Sequence, residues 1–184
     1  MSAAVLTYRL GPDDGTLAVR TKRGGAAKMA GHDLLLHVTR WRATVELGGA
    51  GGTSIDLEAD GSSLKVIEGS GGMQALEDED RENIEQTIDD EVLERQTITF
   101  RSTAVEPASA DAGLHVDGEL TLSGETRPFS FYLSITGEGG LRAGAVVKQT
   151  DWGMKPYTGL FGALKVLDDV EVSLEAELPE PQSE

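Results

Sequence analysis

Cysteine is absent from this 184-residue chain, which excludes disulfides, thiolate nucleophiles and cysteine-based zinc or iron–sulfur centres. Basic side chains are scarce beside acidic ones, 16 against 32, and the formal net charge is -16. Nucleic acid and anionic membrane surfaces both need an excess of Lys and Arg, so this balance argues against either as a partner. No run approaches the roughly 18 apolar residues of a membrane span, and no stable insertion in a membrane is expected. Met1 to Leu10 has neither a basic leader nor an uninterrupted apolar stretch, so no signal peptide is expected and the cytoplasm is the default location. Also lacking are a G-x-S-x-G elbow, a P-loop, an H-E-x-x-H pair and a dinucleotide fingerprint. No enzyme, catalytic residue or cofactor is therefore expected.

Glycine is plentiful, with 23 residues against 6 prolines, and it falls in clusters between apolar stretches. That composition suits many short strands joined by tight turns in a single mostly β domain over residues 1–184, with a short acidic tail at 179–184. Strict alternation confirms the type of element. Leu114, Val116, Leu120 and Leu122 share one face of a segment from Gly113 to Leu122, while His115, Asp117, Glu119 and Thr121 take the other. A Ser123-Gly124 turn leads into Phe129, Phe131, Leu133 and Ile135, which makes the two segments a hairpin. Near the end, Val170, Val172, Leu174, Ala176 and Leu178 alternate with Glu171, Ser173, Glu175 and Glu177. Leu34, Leu36 and Val38 sit on the opposite parity to Trp41, Ala43, Val45 and Leu47, which predicts a bulge or bend between Val38 and Trp41.

One stretch departs from the β pattern. Glu77 to Arg95 carries ten acidic and two basic residues, with Ile84, Ile88 and Val92 four apart. Such spacing puts the three on one stripe of a helix, and the cluster Glu77-Asp78-Glu79-Asp80 suits its positive N-terminus. Glu91 and Arg95 are placed to pair near its end. The charge run reads as a solvated face, an acidic docking surface or a loose calcium site, though no EF-hand spacing is present.

A sheet of this many strands with one apolar face buries that face by folding over or by closing. Consecutive hairpins favour an all-β, antiparallel, lipocalin-like barrel of about eight strands with one acidic helix. Such a barrel either fills with side chains or holds one small ligand. Small inward positions at Ala43, Gly118, Ala143, Ala145 and Ala176 stand beside Trp41, Phe100, Phe129 and Phe131, so both outcomes are open. The glycine-punctuated apolar segment Trp152 to Val166, WGMKPYTGLFGALKV, either plugs one end or gates a pocket.

These residues carry a family likeness. The stretch Thr97 to Phe131, TITFRSTAVEPASADAGLHVDGELTLSGETRPFSF, resembles the YceI-like proteins, through Gly118, Leu120, Thr121, Gly124, Thr126 and Pro128. Asp151-Trp152-Gly153-Met154 with Asp168-Asp169-Val170, and Ala30-Gly31-His32-Asp33 leading to Trp41, are similar to two further motifs of that family. The chain departs from the pattern at Trp152 (usually Phe), at Gln149 (near a common Arg) and at Leu167 (usually Gly). Its acidic helix replaces a segment that often bears paired Phe residues. The resemblance implies a lipocalin-shaped barrel that binds a polyisoprenoid, a quinone precursor or a similar long-chain lipid without catalysis.

A long hydrocarbon ligand needs an apolar channel and few polar anchors, since burial alone contributes about 25 cal/mol per Å². The candidate ligand contacts are Leu36, Trp41, Phe100, Leu120, Phe131, Val147, Trp152, Met154 and Phe161, each of which could equally be ordinary core. His32, beside Asp33, either hydrogen-bonds a ligand headgroup or fixes its own loop through a backbone bond. No metal site is expected from His32, His37 and His115, whose parity does not converge. Alternatives to the carrier are a filled barrel acting as a stress-related or protein-interaction module and, further off, a metal-assisted enzyme around His32. A homodimer is compatible with every one of these readings.

Overall fold

A computed structural model describes residues 5–48, 52–109 and 113–183; Glu184 of the expected acidic tail lies outside them. The first half of the chain forms β1 (Leu6–Leu10), β2 (Gly15–Thr21), β3 (Arg23–Gly24), β4 (Asp33–Val38), β5 (Trp41–Leu47), β6 (Ser54–Asp60) and β7 (Leu64–Ser70). Helix α1 (Asp78–Thr87) follows. The rest forms β8 (Thr97–Pro107), β9 (Gly113–Leu122), β10 (Glu125–Ile135), β11 (Gly140–Lys148), β12 (Thr158–Gly159), β13 (Leu164–Val166), β14 (Asp169–Glu177) and β15 (Gln182–Ser183). Twelve strands make one sheet in the order β15-β1-β5-β6-β8-β9-β10-β11-β14-β2-β4-β7, and β12, β13 and β3 make a small second one. The β9–β10 hairpin lies where the alternation put it. Its turn residues Ser123 and Gly124 both have positive φ (49° and 76°), the two-residue turn whose twist matches that of the strands.

The fold is all-β and antiparallel with one helix, as expected, but the strand count is not. Besides the two-residue β15, the large sheet has eleven strands of five residues or more, against about eight. The excess comes from bends. β1 and β2, β4 and β5, and β6 and β7 are successive halves of three neighbouring long strands. They are broken at Gly11–Asp14, Thr39–Arg40 and Gly61–Ser63. On one side of the break β2 pairs with β4 and β4 with β7. On the other, β1 pairs with β5 and β5 with β6. The two groups stand at opposite ends of the strand order yet are covalently continuous, so the sheet curls round and encloses its apolar face. Parity in the sequence marked only the break between Val38 and Trp41.

Polar groups hold the adjacent bends together. Ser63 is fully buried. Its Oγ donates to Asp60 O (2.8 Å) and accepts from Arg40 N (3.0 Å). Thr39 donates to Ser63 O through both N (2.9 Å) and Oγ1 (2.8 Å), and Asp60 N donates to Arg40 O at 2.9 Å. The Asp60 carboxylate accepts from Ser62 N (2.8 Å) and from Arg40 Nε (2.9 Å). A Cβ on Gly61 would stand 2.3 Å from Gln96 O, so only glycine lets the chain entering β8 approach this corner.

Helix α1 begins with a capping box between Glu77 and Asp80 and covers the edge strand β7. The Glu85 carboxylate accepts from Val66 N (2.9 Å), and Arg81 donates to Ile67 O (2.9 Å). Edge groups that would otherwise invite another strand are satisfied by helix side chains. The helical stretch continues from Ile88 to Val92 as a π turn, with Leu93 N donating to Ile88 O at 2.9 Å. The extra residue moves the register, so Arg95 pairs with Asp89 and Asp90 rather than with the expected Glu91.

Ser63→Ala removes the fully buried hydroxyl that accepts from Arg40 N and donates to Asp60 O. Chemical denaturation is expected to show a loss of about 1–3 kcal/mol. The bonds from Ser62 N and from Arg40 hold the Asp60 carboxyl below the usual carboxylate range. A depressed carboxyl pKa adds stability above the unfolded-state value, 3.8, which is lost as pH falls through the lower folded value. Asp60→Asn should therefore destabilise at neutral pH, and thermal unfolding scans should show the deficit shrinking below about pH 4.

Candidate ligand-binding site

Curling the sheet around residues with small side chains leaves its centre open. The cavity, open to solvent at one side, has a volume of about 890 Å³, within the roughly 300–1,000 Å³ of small-molecule sites. Ala43, Ala143 and Ala145 line it, as do Val170, Val172 and Leu174 of β14. Two other small inward residues have a different role. A Cβ on Gly118 would come within 2.4 Å of the Phe100 ring, and Ala176 packs against Gly15. These make room for neighbours, not for the cavity.

Of the residues singled out from the sequence, Leu36, Phe100, Leu120, Phe131, Val147 and Met154 line the cavity, and His32 stands at its rim. Phe100 and Phe131 lie with ring centroids 5.2 Å apart, and Phe129 joins them. The remaining three do not line it, each for a physical reason. Trp41 is buried in the core immediately after a bend. Trp152 is buried behind Phe129, its ring edge-on at 6.0 Å, and its Nε1 donates to Leu120 O at 2.9 Å. Phe161 points outward and is fully exposed.

The sequence reading left out part of the wall. Ile84, Ile88 and Val92 all line the cavity; their four-residue spacing was visible, but nothing in the sequence said what the stripe would face. Likewise Leu57, Val19 and Leu34 follow strand parity yet needed the register between distant strands.

The rim is polar. Arg23, His32, Gln74, Asp80, Asn83 and Lys165 contribute to it, and the exposure of Met73, Gln74, Ala75 and Lys165 marks where the cavity reaches solvent. His32 Nε2 lies 2.6 Å from Gln74 O, a backbone bond that ties the 71–76 segment to the start of β4. Arg23 Nη1 donates to Gly31 O (2.8 Å), and Arg23 N donates to the Asp33 carboxylate (2.9 Å). Deeper in, buried Gln149 donates from Nε2 to Leu167 O at 3.1 Å. Its turn is fixed by Asp168, which accepts from Thr150 Oγ1 and N. Those bonds, the hydroxyl first, hold the Asp168 carboxyl below its ordinary range. The segment Trp152 to Val166, expected either to plug one end or to gate a pocket, lies at the rim of the cavity. It forms β12 and β13 against β3 at the rim, and Met154, Tyr157, Leu164 and Val166 face the cavity.

This arrangement offers hydrocarbon walls with a polar border. The family model of the YceI-like domain matches residues 8–178. The chain belongs to the YceI-like family. Among solved structures, Burkholderia cenocepacia BcnA is similar at 16 % identity, with a TM-score of 0.63 over 88 % of this chain and 94 % of that one. The Campylobacter jejuni YceI protein is similar at 16 % identity, with a TM-score of 0.54 over 81 % and 84 %. At such identities the YceI-like likeness is one of fold. No curated protein matches the chain. Among the described residues no helix is long and apolar enough to cross a membrane.

Trp152→Phe keeps the packing behind Phe129 and removes one hydrogen bond to Leu120 O. It is expected to lower stability by about 0.5–1.5 kcal/mol in urea titrations while uptake of the fluorescent apolar probe N-phenylnaphthylamine stays unchanged.

Proposed function

We propose that this YceI-like protein binds a long apolar molecule, a polyisoprenoid, a quinone precursor or a similar lipid, in a lipocalin-like barrel interior and acts by sequestration rather than catalysis. The observation that carries the reading is the cavity of about 890 Å³, whose walls are Leu, Val, Ile, Ala, Met and Phe side chains. Water in such a space gains little from its surroundings, so a hydrocarbon tail that displaces it is favoured by roughly 25 cal/mol for each Å² buried. Apart from the buried Gln149, the charged and amide side chains of the lining stand at the rim, which suits a ligand whose polar end stays near solvent. Family membership supports the same class of ligand. The rival module with a filled interior accounts less well for alanines at three lining positions.

Filling the space tests this reading. Ala143→Phe and Ala145→Phe each put a ring into the cavity from β11. Uptake of N-phenylnaphthylamine or of a short-chain polyprenol should fall at least tenfold in the double variant. The thermal shift that a bound ligand gives the wild type should fall with it. Equal uptake by wild type and the double variant contradicts the proposal.

A further inference from the structure

One polar side chain stands inside the hydrocarbon wall without a full set of partners. β11 turns Leu141, Ala143, Ala145 and Val147 toward the cavity, and Gln149, just past the end of the strand, continues that row. Among the described residues it is the one polar side chain of the lining that is more than nine-tenths buried, at 6 % exposure. Its orientation is fixed. Nε2 donates to Leu167 O at 3.1 Å and to Asp168 O at 3.4 Å, two carbonyls that only the NH2 side of the amide can satisfy. The turn that carries it is fixed as well, because Gln149 N donates to Asp168 O (3.0 Å) and Met154 N donates to Gln149 O (3.2 Å).

Both hydrogens of Nε2 are thus engaged, and Oε1 is left over. No described residue donates to it. Neither is it sealed in the wall: the buried side-chain oxygens without a partner are those of Thr21, Asp89 and Ser123. What remains in front of Oε1 is the cavity. An amide oxygen in such a place is costly unless a donor reaches it, so the site calls for a donor carried by whatever fills the space.

Charge narrows the chemistry of that donor. The border of the cavity has both signs, with Arg23, His32 and Lys165 beside Asp80 at the acidic start of α1, and Asp151, Asp168 and Asp169 flank Gln149. Arg23 is engaged by Gly31 O at 2.8 Å. An anionic headgroup gains no consistent attraction there and sets its own oxygens against Oε1. A quinone carbonyl only accepts, so it has nothing to offer this atom. An alcohol or phenol O–H donates. Gln149 lies at the rim end of β11, beside Leu167 and β13, whereas Leu141 lines the cavity from the other end of the strand. A hydroxyl held at Gln149 leaves its tail free to run along the apolar wall.

We infer that Gln149 determines specificity, selecting an uncharged hydroxyl-bearing amphiphile over the phosphate ester or quinone with the same tail. The inference rests on the proposed class of ligand and adds the chemistry of its polar end.

The test is displacement of N-phenylnaphthylamine by four molecules that share one tail: geranylgeraniol, its methyl ether, its monophosphate and the parent hydrocarbon. Burial alone favours the ether over the alcohol, so a preference for the alcohol reports the hydrogen bond. The wild type should bind the alcohol about fivefold more tightly than the ether and about tenfold more tightly than the monophosphate. Gln149→Arg retains donors for Leu167 O and Asp168 O but has no acceptor. Its preference for the alcohol should vanish, and the monophosphate should become the tightest of the four. The wild-type series needs no variant, so it decides the matter even where the substituted chain does not fold. Equal binding of alcohol and ether by the wild type overturns the inference, as does a preference that Gln149→Arg leaves intact or a wild type that binds the monophosphate best. The cavity reading survives each of those results, because the tails are still taken up. Uptake of none of the four, the hydrocarbon included, overturns the proposed function together with the inference.

Discussion

Three neighbouring strands bend together, and the interior depends on that bend. A flat antiparallel sheet of this length would expose its apolar face. The breaks at Gly11–Asp14, Thr39–Arg40 and Gly61–Ser63 let one half of each long strand pair toward β14 and the other toward β8. Because a backbone bend strands N–H and C=O groups away from the ladder, it is tolerated in the interior only if other partners are found. Ser63, Thr39, Arg40 and Asp60 supply them, and the glycine at 61 lets β8 close in. The cavity is a consequence of this geometry. Curvature sets its size, and alanines on β5 and β11 keep it from filling.

The acidic helix has a role in the same scheme. Its charge faces water, but its Ile84 and Ile88 form cavity wall, while Glu85 and Arg81 satisfy the open edge of β7. An edge strand beside a hollow interior is the weakest part of a curled sheet, and a helix fixed by charged side chains covers both the edge and the gap. The π turn at Ile88–Val92 ends that cover and sends the chain back to the corner at Gly61.

Period-two alternation was enough to locate β9, β10 and β14 within a residue or two, because each has one apolar and one polar face. The helix was equally plain from Ile84, Ile88 and Val92. Two of the three bends were not legible. Around Gly11 and Gly61 the residues read as ordinary turns, and only hydrogen bonding between strands far apart in sequence shows that they are kinks within long strands. The cavity-lining aliphatics followed from parity, whereas the aromatic candidates divided. Phe100 and Phe131 face inward, but a tryptophan can be held by its N–H, as Trp152 is by Leu120 O, and an aromatic in a glycine-rich segment can point outward, as Phe161 does. The side-chain type alone did not distinguish these cases.

The central claim is that the hollow interior takes up hydrocarbon. Native mass spectrometry of the protein purified without detergent from its own host tests this most directly. The account predicts a stoichiometric adduct that is released on activation and extracts into organic solvent as a long-tailed molecule. Recovery of the bare polypeptide mass alone, even after incubation with polyprenols and quinone precursors, would contradict it.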